Sequence, residues 1–216
     1  MVKAVIFDLD GTLLNTLADL ASSTNYALGH YGYPQRTIDE VRRFVGNGVA
    51  KLIERAVPEG TSEADVQRVL SCFKSHYLEH SLDTTVPYDG IMDMLSVLKK
   101  KGIATAIVSN KLDPAVRELH EHFFKELVDT AVGESSERQA KPSPDMVNEA
   151  LRRLGIDAES AVYVGDSEVD IMTARNAGMR CISVSWGFKT REFLVQNGAS
   201  SIAGTVEELM EQIDRA

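Results

Sequence analysis

Ala4-Val5-Ile6-Phe7-Asp8-Leu9-Asp10-Gly11-Thr12, AVIFDLDGT, sets a short apolar run directly before two carboxylates one residue apart. An unbroken apolar run of this length reads as a strand buried on both faces, the habit of a parallel sheet. Carboxylates held so close repel unless a cation, a shared proton or solvent relieves them, so the pair points to a metal-assisted acid/base site. Gly11 permits a sharp turn there, and Thr12 adds a hydroxyl and an amide. The same residues also describe a strand entering an ordinary Asp-Gly-Thr turn, and only partners farther along the chain decide between the two.

Three more apolar runs, Ile103–Val108, Ala161–Val164 and Cys181–Val184, read as buried strands, with Leu127–Val132 a weaker fifth. Helical patterns lie between them. Ile91–Lys101 sets Ile91, Met94, Leu95 and Leu98 on one face before Gly102, and Pro144–Leu154 sets Met146, Val147, Ala150, Leu151 and Leu154 similarly before Gly155. This alternation predicts an α/β protein with a doubly wound, Rossmann-like parallel sheet. Residues 15–86 break it: Leu17–Tyr31, Ile38–Phe44, Val49–Val57 and Ser62–Ser81 all read as helices with no strand between them. The prediction is a core of residues 1–14 and 87–216 with a helical domain inserted at 15–86, and Asp89 as cap of the helix that resumes the core.

The 216 residues are 44% hydrophobic, enough for a sizeable core, and carry a formal net charge of −9. That balance argues against a nucleic-acid partner gripped by a broad basic face. Cys72 and Cys181 are far apart, which suits buried fillers in a reducing cytoplasm better than a disulfide framework or a zinc site. No run approaches the roughly 20 apolar residues that span a bilayer, and no leader pattern precedes the first strand, so no membrane partner is expected.

Ligands of open α/β sheets bind beyond the carboxyl ends of the strands, which singles out the polar residues after each run. These are Asp8, Asp10 and Thr12; Ser109 and Asn110; and Gly165, Asp166 and Ser167, with Asp170 on the following helix. Lys141, in AKPSP, precedes a helix whose start is set by Pro142, Ser143 and Pro144. Several carboxylates, a fixed cation and hydroxyl donors suit phosphoryl transfer: the carboxylates hold Mg²⁺, while Lys141, Ser109 and Thr12 neutralise phosphate oxygens. Other polar clusters read as structural: His76 with His80 and His120 with His122 as solvated or partly packed faces, and Lys99–Lys101 as a basic helix end. Trp186–Gly187–Phe188 reads either as a border of the site or as core packing.

Taken in order, DLDGTLLNT, VSN, the lysine of KPSP and GDSEVD resemble the four motifs of the haloacid dehalogenase-like (HAD) superfamily of phosphohydrolases, and the resemblance covers nearly the whole chain. It implies that Asp8 is the nucleophile forming an aspartyl-phosphate, and that Asp10 is the general acid and then the base on water. It implies a phosphate cradle of Thr12, Ser109, Asn110 and Lys141. Mg²⁺ would be held by Asp8, Asp166 and the Asp10 backbone carbonyl, with Asp170 supporting the metal or orienting Lys141. The second aspartate favours phosphate chemistry over halide displacement.

The insert resembles the family's small cap, and VRRFVGNGVAKLIERA (Val41–Ala56) is similar to the cap segment of phosphoglycolate phosphatases. Arg42, Arg43, Gly46, Asn47, Gly48 and Lys51 are thereby candidates for receiving a small carboxylate, although Gly-Asn-Gly also serves simply to join two helices. Asn15 stands where many relatives carry aspartate. The expectation is a Mg²⁺-dependent phosphomonoesterase acting on a small phosphorylated metabolite, foremost phosphoglycolate. The alternatives are a pyrophosphatase, a sugar-phosphate phosphatase, a β-phosphoglucomutase-like phosphomutase and a non-catalytic binding module.

Overall fold

A strand with two apolar faces needs a neighbour on each edge and cover on each side. In the computed structural model, which describes residues 2–216, the first strand has the neighbours. The strands are Ala4–Phe7 (β1), Leu14–Asn15 (β2), Val86–Pro87 (β3), Ala104–Leu112 (β4), Thr130–Glu134 (β5), Ala161–Gly165 (β6), Arg180–Val184 (β7) and Ile202–Ala203 (β8). Six form a parallel sheet in the order β5-β4-β1-β6-β7-β8, with β1 between β4 and β6. All four β1 residues are fully buried, and the side chains of Val5, Ile6 and Phe7 each contribute about 1.5–3 kcal/mol relative to exposure. The chain leaves β1 toward β4 but leaves β6 toward β7 on the opposite side, so the carboxyl ends of β1 and β6 flank the topological switch point.

The chain divides into two units: residues up to Leu14 with Pro87–Ala216, and Asn15–Val86. The second unit is helical, with Leu17–His30 (α1), Ile38–Phe44 (α2), Val49–Ala56 (α3) and Glu63–His80 (α4). Its interior is built from Leu28, Val41, Leu52, Ile53, Val69 and Phe73. Thr37 and Glu40 close a capping box at the start of α2. Buried Asp19, in the first turn of α1, accepts hydrogen bonds from the backbone N–H and hydroxyl of both Thr84 and Thr85, clasping the beginning of the unit to its end. The two-stranded pairing of β2 with β3 carries the chain out of the core and back.

The core helices are Ile91–Lys100 (α5), Asp113–Leu119 (α6), Asp145–Leu154 (α7), Glu168–Asn176 (α8), Arg191–Gln196 (α9) and Val206–Arg215 (α10). On one side of the sheet, Met146, Val147, Ala150 and Leu151 of α7 pack with Ile6, Val108, Val132 and Tyr163.

Some sequence expectations need correction. Asp89 does not cap α5, because Gly90 is the N-cap in the left-handed conformation (φ 80°) with no side-chain bond. The weak fifth strand begins at Thr130 rather than Leu127, because Leu127 and Val128 donate to the Phe124 carbonyl in a turn. Cys72 and Cys181 are only half-buried. The strand expected to end at Val108 continues to Leu112, with a shift of its register against β5 between those residues. β8, two residues long, is too short to leave a periodic signature.

Candidate active site

Asp8 continues β1, its N–H donating to the Val164 carbonyl at 2.8 Å, so the sheet itself fixes where this carboxylate emerges. Asp166 follows β6, and Asp170 lies one helical turn on in α8. All three are buried, and each offers a carboxylate oxygen within 4.8 Å of the others. Lys141 Nζ stands 2.8 Å from both Asp8 Oδ1 and Asp170 Oδ1, and 3.2 Å from the Tyr163 hydroxyl.

The electrostatics follow from this crowding. Burial, then the charge of Asp170, raises the Asp8 carboxyl to about 7 against the pull of Lys141. Burial likewise pushes Asp166 well up, reinforced by Asp170 and Asp8. Burial pulls the Lys141 ammonium down, but Asp170 and Asp8 more than reverse it and hold it well above the ordinary lysine value.

Asp170 is saturated. Its Oδ1 accepts from Lys141 and Tyr163, and its Oδ2 from the Ser167 N–H and hydroxyl. Of the roles expected for it, orienting Lys141 is the one its bonds describe. Asp166 Oδ2 accepts from the Phe188 N–H at 2.6 Å, and the Trp186 indole N–H donates to the Thr12 carbonyl at 3.1 Å, so the loop after β7 borders the site.

The expected phosphate-binding residues divide. Ser109 is buried beside the site, and the buried Thr12 hydroxyl has no hydrogen-bond partner among the described residues. The Asn110 side chain is engaged elsewhere: its Oδ1 accepts from Lys141 N at 2.6 Å and its Nδ2 donates to Lys141 O at 3.1 Å. Its amide therefore holds the lysine loop rather than an anion. Asp10 Oδ1 lies 2.9 Å from Lys111 Nζ. Its side chain is not part of the Asp8–Asp166–Asp170 cluster.

The residues fit a hard divalent cation and a phosphate. The carboxyl groups of Asp8, Asp166 and Asp170 crowd within 4.8 Å of one another, with Lys141 ion-paired to Asp8 and Asp170, an oxygen-rich acidic set that a divalent cation would relieve. Gly11 takes a positive φ (84°), and a Cβ built there would collide with the Asp166 carboxylate. One at Gly187 would strike both the Gly11 carbonyl and Asp166. These glycines keep a cradle open against the carboxylate.

In the helical unit the candidates are held differently. Arg42 pairs with Asp39 and Lys51 with Glu54, both on exposed surface, and Arg43 is exposed. Asn47 Oδ1 accepts from Arg55 Nη2, whose Nη1 reaches the Phe44 carbonyl, so Arg55 braces the Gly46–Gly48 turn. The His76 ring stacks between Tyr26 (4.0 Å) and His80 (4.1 Å), a packed face rather than a ligand set. His120 bonds to the Val128 carbonyl.

Sequence reasoning passed over Lys111, Tyr163, Arg55 and Asp19. Lys111 alone left a signal, as a cation directly following Ser109–Asn110.

A family profile described as haloacid dehalogenase-like hydrolase matches residues 5–184. Among curated proteins, the phosphoglycolate phosphatase of Aquifex aeolicus is 33% identical, the match covering 87% of this chain and 86% of that one. Phosphoglycolate phosphatase 1 of Pseudomonas aeruginosa is 29% identical over 99% of this chain and 80% of its own length. A crystal structure from Lactobacillus delbrueckii subsp. bulgaricus, of a protein assigned as a phosphoglycolate phosphatase, is similar with a TM-score of 0.94 at 39% identity, covering 98% of both chains. Among the described residues no helix is long and apolar enough to cross a membrane.

Proposed function

The chain belongs to the haloacid dehalogenase-like hydrolases, and from that premise we propose that this phosphatase is a Mg²⁺-dependent phosphomonoesterase whose substrate is phosphoglycolate or a similarly short phosphorylated acid. The observation that carries the proposal is the division of two carboxylates emerging from one strand. Asp8 faces Lys141 and the acidic cluster, whereas Asp10, two residues on, faces Lys111. In this reading Asp8 attacks phosphorus and Asp10 manages a proton.

In this mechanism the Asp8 carboxylate forms a bond to phosphorus as the bond to the leaving oxygen breaks, and Asp10 gives its proton to that oxygen. Water then attacks the aspartyl-phosphate, passes a proton to Asp10 and frees Asp8. Lys141, kept charged and fixed by Asp170 and Tyr163, neutralises phosphoryl oxygens together with the Thr12 and Ser109 hydroxyls. Mg²⁺, held by Asp8, Asp166 and the Asp10 carbonyl, would supply further charge neutralisation and favour ionised Asp8. The helical unit is assigned the role of cap, and its Arg42–Lys51 segment a share in choosing the leaving group. The names of the relatives and the similarity of Val41–Ala56 support phosphoglycolate over other esters.

Steady-state kinetics with Mg²⁺ on phosphoglycolate, pyrophosphate and hexose phosphates test the proposal. The highest kcat/KM is expected for phosphoglycolate, with inorganic phosphate and no isomerised sugar as product. A preference for pyrophosphate or a hexose phosphate defeats the substrate assignment, and inertness toward every ester defeats catalysis itself.

A further inference from the structure

Two buried lysines divide the site. Lys141 serves the Asp8 side, in contact with Asp8, Asp170 and Tyr163. Lys111 serves the Asp10 side, its Nζ 2.9 Å from Asp10 Oδ1, and its side chain is as buried as that of Lys141, each 2% exposed. A cation removed from water to this extent is costly unless its surroundings give something back.

We propose that Lys111 is a specificity-determining residue that receives a negative group on the leaving alcohol. The inference rests on the reading of Asp10 as the proton carrier, because that role brings the bridging oxygen of the ester against the Asp10 carboxyl. In a phosphorylated 2-hydroxy acid the carboxylate carbon is two bonds from that oxygen, so the carboxylate falls beside the group that already touches Asp10. An ammonium has three donors and can face two oxyanions at once.

The strand explains how the residue gets there. β4 runs on past Val108 with a shift in register, and Ser109, Asn110 and Lys111 are all buried in succession. The Lys111 N–H donates to Ser109 Oγ at 3.2 Å, which fixes the turn of the backbone between the phosphate side and the leaving-group side.

The test uses matched esters, phosphoglycolate and 2-hydroxyethyl phosphate, which differ by one carboxylate against one hydroxymethyl group. In Lys111→Met the ratio of kcat/KM, acid over neutral, should fall by about ten to a hundredfold, the loss of one charge-assisted hydrogen bond, and Lys111→Arg should restore much of it. An equal fall on both esters overturns the inference and leaves Lys111 as a positioning residue for Asp10.

If neither variant folds, the wild-type enzyme carries the test. Glycolate should inhibit cleavage of 2-hydroxyethyl phosphate at concentrations at least about tenfold below those of ethylene glycol; equal inhibition overturns the proposal. Should another phosphorylated acid prove the better substrate, the phosphoglycolate assignment fails, while the ratio is read on that acid and its neutral alcohol analogue. Should no ester turn over, phosphatase chemistry fails instead.

Discussion

The charged groups of the acidic cluster and those of the Arg42–Lys51 segment are held in opposite ways. In the α/β unit Lys141 and Asp170 are 2% and 0% exposed, and every partner is another member of the same site. In the helical unit Lys51 and Glu54 are 55% and 56% exposed, one helical turn apart. The first arrangement is rigid and costly, and is kept because buried charges in low dielectric act strongly on a reacting centre. The second is inexpensive and adaptable, since exposed pairs contribute about 0–1 kcal/mol. Asp19, buried in the helical unit with four donors, is the exception that tests the rule.

The contrast is broken most directly at Asp8. Asp8→Asn should lower kcat by about 10⁴-fold or more with the fold retained, measured by phosphate release alongside circular dichroism; substantial residual turnover would show that another group attacks phosphorus. Asp10→Asn should cost about 10²–10⁴-fold, more for alkyl than for aryl phosphates, and a uniform loss across leaving groups would remove its proton-transfer role.

Stability gives the next tests. Asp19→Ala leaves two backbone and two hydroxyl donors unmatched and should destabilise the helical unit by about 3 kcal/mol in urea unfolding; a loss below about 0.5 kcal/mol would mean the clasp is idle. The elevated Asp8 carboxyl has a definite sign. Its proton is held more tightly folded than unfolded, so its stabilising contribution is full below about pH 3.8 and is lost as pH rises through about 7. Chelated wild type should therefore lose melting temperature across that window relative to Asp8→Asn, and Mg²⁺ should abolish the difference; parallel curves without metal would refute the assigned burial. The smallest effects are expected at Arg42→Ala and Lys51→Ala, within about 0.5 kcal/mol in stability. A change in KM for phosphoglycolate without a change in kcat at either residue would give the Arg42–Lys51 segment its substrate contact.

What the sequence disclosed follows the range of the interactions involved. β1 and the Asp8–Asp10 pair are local patterns, and the structure places them at the switch point. Lys141 was visible through its prolines, but the grip of Asn110 on its backbone spans 31 residues and has no local trace. Tyr163 sat unnoticed in an apolar run, because only the fold brings its hydroxyl to Lys141 and Asp170. Lys111, legible only as a cation after Ser109–Asn110, is buried because β4 continues past Val108 to Leu112. Asp19, an acid in a helix's first turn, carries no local sign of its clasp, because Thr84 and Thr85 lie 65 and 66 residues away.

That clasp has a consequence for the ancestry and engineering of the chain. Asp19 joins the entry and exit of the helical unit inside the unit itself. A segment whose two ends are already tied together behaves as a cassette, exchangeable between scaffolds without reopening the sheet. Lys111 limits what such an exchange transfers. A transplanted cassette would bring a new outline for the leaving group, while the preference for its charge would stay with the recipient's own fourth strand.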